Sequence, residues 1–139
     1  MKRAYVSDLE IVTLGHHVRD DGELTVLERA NLPFAIERVF FVRAFAGARR
    51  GMHAHKQCSQ FMVCVSGAIE VICDDGEAER SLMLDRLNVG LLVPPSLWAT
   101  EIYREAGSAL MVACDRPYED DDYIRGYDAF RRYRAAICA

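Results

Sequence analysis

The sequence contains no CxxC pair, no long apolar run and no surplus of basic residues, and each absence closes off a class of function. Five cysteines (Cys58, Cys64, Cys73, Cys114 and Cys138) are an odd number without metal-ligand spacing. Such usage argues against a zinc-cysteine site and reads as free, mostly buried thiols in a reducing cytoplasm. Stretches such as FMVCVSG and LMVAC favour small core residues over a cysteine nucleophile. Without a long apolar run, no transmembrane helix is expected. The start, MKRAYVSDLE, lacks the apolar centre of a signal peptide, which supports a cytoplasmic expectation. Lys and Arg together number 17 against 21 Asp and Glu, a net charge of -4. A general nucleic-acid binder needs a basic face, so that class is set aside. There is also no repeat, low-complexity tract or linker, and 139 residues fit one domain.

What is present is an ordinary globular balance, 51% hydrophobic and 27% charged. The middle of the chain reads as short strands broken by turn signals. FAIERVFFVRAF is rich in aromatic and β-branched residues and runs into the turn-like AGARRG. SQFMVCVSG and AIEVICDDG follow, the second closed by Asp75-Gly76 as a hairpin signal. SLMLD, VGLLVPPSLW and SALMVACD continue the pattern, with Pro94-Pro95 expected at a strand end. Many short strands with Gly and Pro punctuation mean an all-β sandwich or barrel, expected here over about residues 20–117. From Asp120 the period changes. Tyr123, Tyr127, Phe130 and Arg134 recur at steps of three or four, which predicts an amphipathic helix over about 120–136. The acidic run Glu119 to Asp122 would sit at its N-terminus, where the helix dipole favours negative charge, and needs no chemistry to explain it. Gly126 inside such a helix costs about 1 kcal/mol relative to Ala.

The informative stretch is GARRGMHAHKQCSQFMVCVSG. Gly47 is followed after five residues by His53, then His55, then Gln60 after four more and Gly67 after a further six. Residues two apart in a strand share a face, so His53 and His55 project together, with Gln60 joining from the next strand. This spacing resembles the first cupin motif, with Gln in place of its usual Glu. The second cupin motif, P-x-G-x-x-H, corresponds to Pro94–Ala99, where Ser96 replaces the glycine and Ala99 the histidine. Two imidazoles and an amide hold a transition metal weakly, so no metal or other cofactor is expected. The pair is then either structural, satisfied by hydrogen bonds, or a proton-transfer device, since imidazole titrates near working pH. Arg50 and Lys56 are candidates for an anionic substrate part, or are solvated turn charges. Trp98, after the diproline, either stacks on a base or sugar ring or belongs to the core.

FAIERVFFV, RGMHAHK, Gln60, DDG, GLLVPPSLW and DDYIRGYDAF together resemble the WxcM-like cupins, from about Asp20 to Phe130. The resemblance implies a cupin jelly-roll barrel with a C-terminal helix. It further implies a cytoplasmic homodimer, often with exchanged N-terminal strands, that needs no metal. Its substrate would be a dTDP-linked 4-keto-6-deoxy sugar, whose keto group moves from the 4- to the 3-position through an enediol. His53 and His55 carry the chemistry in this reading. His55 is expected to be the main proton shuttle, and His53 to donate to the enediolate oxygen. Arg38, Arg50, Lys56 and Trp98 are expected to contact nucleotide and sugar. Two positions depart from the family pattern: Phe41 where a tyrosine is frequent, and Asp21 where an arginine is frequent. They motivate a competing reading as a non-catalytic sugar-nucleotide or metabolite binder. A metal-dependent cupin enzyme is the third reading.

Overall fold

The computed structural model describes residues 2–137, so Cys138 lies outside the described residues. Twelve strands and one α-helix follow in chain order. They are β1 (Glu10–Thr13), β2 (Gly15–Arg19), β3 (Gly22–Val26), β4 (Arg38–Arg43), β5 (Arg49–His55) and β6 (Gln60–Ser66). Then come β7 (Ile69–Asp74), β8 (Glu79–Leu84), β9 (Val89–Val93), β10 (Trp98–Tyr103), β11 (Ala109–Cys114), β12 (Tyr123–Ile124) and α1 (Tyr127–Ala136). One five-stranded sheet has the order β1-β9-β6-β11-β4, the other β12-β5-β10-β7-β8, and β2 and β3 form a separate hairpin. This is the expected jelly roll of two antiparallel sheets.

Side chains that alternate along these strands meet between the sheets. Met62 and Cys64 from β6, Val71 and Cys73 from β7, and Leu110 and Val112 from β11 form the main core, each at most 2% exposed. The outer face of β6 and β11 is covered separately: Phe61, Val63 and Ala113 pack against Leu14 and Leu32 from the N-terminal part. Asp75-Gly76 turns β7 into β8 as expected. Gly76 adopts φ 88°, open to glycine, and Asp75 Oδ1 accepts from the amides of Glu77 and Ala78 at 2.9 and 2.8 Å.

Two boundaries differ from the sequence reading. The sheets begin earlier than residue 20, because β1 pairs with β9 through Glu10↔Leu92 to Thr13↔Val89. The helix begins later than residue 120. Tyr123 and Ile124 are extended and pair with His55 and Ala54 of β5, while Asp120–Asp122 make one 3-10 turn. Gly126 is not inside the helix but caps it in an extended conformation, so its helix penalty does not arise. The periodic apolar residues of the segment therefore serve two elements. Helix α1 lays fully buried Phe130 over Ala54 on the outer face of β5, with Trp98 alongside. Burying that ring stabilises by roughly 1.5–3 kcal/mol. Arg134, from the last turn, is also buried. Its Nη1 donates to the carbonyls of Ala4 at 2.6 Å and Ser96 at 2.8 Å, which clips the start of the chain and the β9–β10 turn to the helix.

Candidate active site

Ala54 points outward beneath Phe130, so its neighbours His53 and His55 point the opposite way, into the space between the sheets. The register agrees: His53 stands opposite Ala99 of β10, and His55 opposite Tyr123 of β12. The two imidazoles lie edge to face with centroids 5.0 Å apart, and the Tyr123 ring packs against both, at 5.0 Å from His53 and 4.4 Å from His55. Tyr123 Oη accepts a 3.1 Å hydrogen bond from Arg38 Nη2 on β4.

The two histidines are held differently. His55 is 5% exposed, its Nδ1 is 2.8 Å from Asp122 Oδ2, and its Nε2 is buried without a partner. Burial lowers its pKa, and the Asp122 carboxylate opposes that shift. His53 is half-buried. Burial, then the neighbouring His55, bring its pKa down to about 4, against a hydrogen bond to the Gly51 backbone. Both rings are therefore neutral at neutral pH, a state in which each keeps one free nitrogen lone pair. Just before His53 the strand bulges. Gly51 has φ 78° and Met52 φ 56°, and the Gly51 backbone lies directly against the Glu101 carboxylate. Burial pushes Glu101 up to about 7, against the charge of Arg50, and its Oε2 has no hydrogen-bond partner.

Beside the histidines, Arg38 lies over the Phe40 and Tyr118 rings, and its Nη2 also reaches Cys114 Sγ at 3.8 Å. Gln60 Nε2 donates to the same sulfur at 3.9 Å, and the Cys58 thiol, which donates to the Ser59 carbonyl at 3.4 Å, lies beside it. These neighbours lower the Cys114 pKa, while that of Cys58 is raised. The cupin ligand positions do not form a metal site here: Ala99 offers no donor opposite His53, and the Gln60 amide is engaged with Cys114.

The structure thus gathers His53, His55, Gln60 and Arg38 around one inner face, with Arg50 nearby against Glu101. It does not bring Lys56 or Trp98 there. Lys56 follows the end of β5, its amide donates to the Asp122 carbonyl at 2.8 Å, and it lines surface depressions with Tyr123 and Tyr133 on one side and Glu119 and Asp122 on the other, behind the histidines. Trp98 pairs with Asp74, points outward and packs on Tyr127 at 5.4 Å and Phe130 at 5.6 Å. It lines an outer groove of about 470 Å³ with Arg49 and Tyr127. It is partly buried against the outer Phe130 cluster, because β10 places odd-numbered residues inward and even-numbered ones outward. The acidic run is corrected too. Asp122, which the dipole argument left without chemistry, is the partner of His55. Glu101, Tyr123, Cys58 and Cys114 were also not singled out. For Asp122 and Tyr123 the available signal was the DDYIRGYDAF segment itself. The two departures do not enter this face: Phe41 is 69% exposed on the outer side of β4, and Asp21 is at the exposed tip of the β2–β3 hairpin.

Comparison with known proteins follows the same lines. The family model described as WxcM-like, C-terminal matches residues 7–135. A TDP-4-oxo-6-deoxy-alpha-D-glucose-3,4-oxoisomerase of Aneurinibacillus thermoaerophilus is 39% identical over 118 residues, 84% of this chain and 85% of that protein. Among solved structures, a 3,4-ketoisomerase from Helicobacter canadensis superposes with a TM-score of 0.87 at 30% identity, covering 92% of this chain and 98% of that one. A histidine-to-asparagine variant of the 3,4-ketoisomerase of Thermoanaerobacterium thermosaccharolyticum, in complex with TDP-4-keto-6-deoxyglucose, gives 0.89 at 25% identity, covering 94% and 96%.

Proposed function

The chain belongs to the WxcM-like family, and from that membership we propose that it is a sugar-nucleotide 3,4-ketoisomerase. It moves the keto group of a dTDP-linked 4-keto-6-deoxyhexose from carbon 4 to carbon 3, within one cupin domain. The relative that is 39% identical bears that activity in its name. The reaction needs a base for the acidic proton on carbon 3, beside the ketone. The enediol that results must then receive a proton at carbon 4 while the oxygen on carbon 3 gives its proton up. No electrons leave the substrate, so a neutral imidazole suffices and no redox cofactor is required.

The observation that carries the reading is the unequal exposure of the two imidazoles. His55 Nε2 has no accessible surface, whereas His53 is only partly buried, so His53 is the more open of the two to a sugar carbon. In this reading His53, rather than His55, acts as the base and proton carrier, and His55, oriented by Asp122, supports it from behind. Arg38 contributes a fixed positive charge for the enediolate, and Gln60, which shares the Cys114 sulfur with it, is its neighbour in the cup. Incubation of the substrate in heavy water, followed by NMR, tests this. Deuterium should appear at carbon 4 of the 3-keto product with the native chain, and the His53→Asn variant should abolish exchange. Exchange that survives in His53→Asn but stops in His55→Asn would restore the original order.

The same reading makes the chain a cytoplasmic homodimer. The edge strand β4 exposes Val39 and Phe41, and Phe45 beyond it is 78% exposed. The β2–β3 hairpin carries exposed Val18 and Leu24. Apolar edges of this kind are normally covered. The described cysteines are free thiols, as a reducing compartment would keep them, and no helix among the described residues is long and apolar enough to cross a membrane. Light scattering of the purified protein should give twice the chain mass, and a monomer would refute the assembly.

A further inference from the structure

His55 closes β5, Cys58 lies in the loop that follows, and Asp122 comes from the 3-10 turn more than sixty residues on. One donor atom from each, a ring nitrogen, a sulfur and a carboxylate oxygen, lies within 4.8 Å of the other two. The nitrogen and oxygen are already 2.8 Å apart. Cys58 neighbours the Cys114 sulfur, close enough to influence its ionisation. Four buried side chains of ligating type, from four separate segments, therefore converge beside the histidine pair. We propose that His55, Cys58 and Asp122, completed by Cys114, form a binding site for a thiophilic divalent cation of the zinc class.

Two sulfurs, an imidazole and a carboxylate are the donor set that such ions prefer in tetrahedral sites. Metal–ligand bonds of about 2.0–2.3 Å place ligand atoms roughly 3–4 Å apart, so shifts of about an ångström close the first three donors, while Cys114, outside that 4.8 Å group, must swing further toward them. The charges also close. Two thiolates and a carboxylate around a dication leave one net negative charge, and the Arg38 guanidinium, 3.8 Å from Cys114 Sγ, lies against it. Binding releases the two thiol protons to solvent. The Nδ1 proton of His55 relocates to Nε2, which lacks a partner now. Neither His53 nor Gln60 takes part, so this is not the position that the cupin motif would use. An occupied site presents an N–H at Nε2 in place of a lone pair and takes Cys114 from Arg38 and Gln60, so the cation inhibits the isomerase.

The test titrates metal-free, reduced full-length protein with Co2+ and reads its spectrum, which is independent of the isomerase assignment. One equivalent should bind per chain, with sulfur-to-cobalt charge transfer and the intense visible bands of a tetrahedral ion. Cys58→Ala should cut the charge-transfer intensity by about half and bind on the order of a hundredfold more weakly, with an unchanged circular-dichroism melt. His53→Asn should bind as the native chain does. Weak octahedral bands, an unaltered spectrum in Cys58→Ala, or loss of cobalt on His53→Asn alone would each overturn the proposal. If Cys58→Ala melts early, the rate of thiol alkylation of the native chain decides instead: Zn2+ should slow the labelling of Cys58 by iodoacetamide, and an unchanged rate refutes the site.

Discussion

Asp122 binds His55 across 67 residues of chain, Oδ2 to Nδ1 at 2.8 Å, while its other oxygen accepts the Gln57 amide at 2.6 Å. Both carboxylate oxygens are thus engaged, and the one facing the imidazole cannot turn away without breaking the other contact. The acid fixes the ring's tautomer and orientation, a positioning role that runs through His55 to His53.

Replacing that acid by its amide tests the arrangement. Asp122→Asn keeps the shape but removes the charge, and its NH2 must face either the Gln57 amide or Nδ1–H. Turnover should fall about ten- to a hundredfold, the range seen when an orienting carboxylate is lost, with KM little changed. Stability should fall by roughly 1–3 kcal/mol, the cost of one buried unsatisfied donor. Steady-state kinetics and thermal melts read both. Native turnover in Asp122→Asn would remove the dyad from the mechanism.

The pH dependence follows from His53. Its folded pKa, about 4, is depressed below the ordinary 6.5, so protonation is resisted in the native state. Between those values the unfolded chain binds more protons than the folded one, and stability rises with pH. Lowering the pH from 6.5 to 4 should therefore cost on the order of 3 kcal/mol from this residue, following 1.36 kcal/mol per unit. Chemical denaturation across that window should show a smaller loss for His53→Asn. The acid limb of kcat/KM should likewise fall well below pH 6.5. A limb centred at the ordinary histidine value would contradict a buried neutral base.

Gly51→Ala probes the bulge. The residue has φ 78°, and a Cβ there would press on the Glu101 carboxylate and lie 3.0 Å from the Ala99 carbonyl. Backbone strain alone costs about 1–2 kcal/mol, and relief requires the bulge that precedes His53 to shift. Both the melting temperature and turnover should drop. A melt identical to native would show that the bulge accommodates a side chain freely.

Lys56→Ala and Trp98→Ala separate the cup from its outside. Lys56 lies on the helix side, so its loss should alter kcat by less than about twofold. Trp98→Ala opens the outer cluster beneath Phe130 and should destabilise by about 2–4 kcal/mol, while the folded enzyme still exchanges deuterium at carbon 4. Loss of exchange in either folded variant would place that residue in the site.

Strands β4 to β11 were legible in the sequence because they are short apolar runs punctuated by turn residues, as at Asp75-Gly76, whereas β1, β2, β3 and β12 were not. The histidine pair was legible because a one-residue gap in a strand fixes a shared face. The inward or outward sense of a given strand was not. Trp98 and Ala99 are neighbours, yet which of them faces the histidines depends on the β10–β5 register, set by the bulge at Gly51 and Met52. Asp122 was hidden for another reason. An acidic run before a helical period has a sufficient local explanation in the dipole, and only the pairing of β12 with β5 turns one of its members toward His55. The choice between His53 and His55 required knowing which nitrogen is sealed off, a property of packing that spacing does not encode.

The carboxylate beneath His55 arrives late in the chain, after every strand of the two main sheets except the two-residue β12. A growing polypeptide that has laid down Cys114 can already close its hydrophobic interior, yet its imidazole pair still lacks an orienting acid. Competence then waits on this later segment, which folds back on a finished scaffold. Drift in that segment would silence the enzyme while leaving an intact shell, a simple evolutionary route from a catalyst to a binding protein.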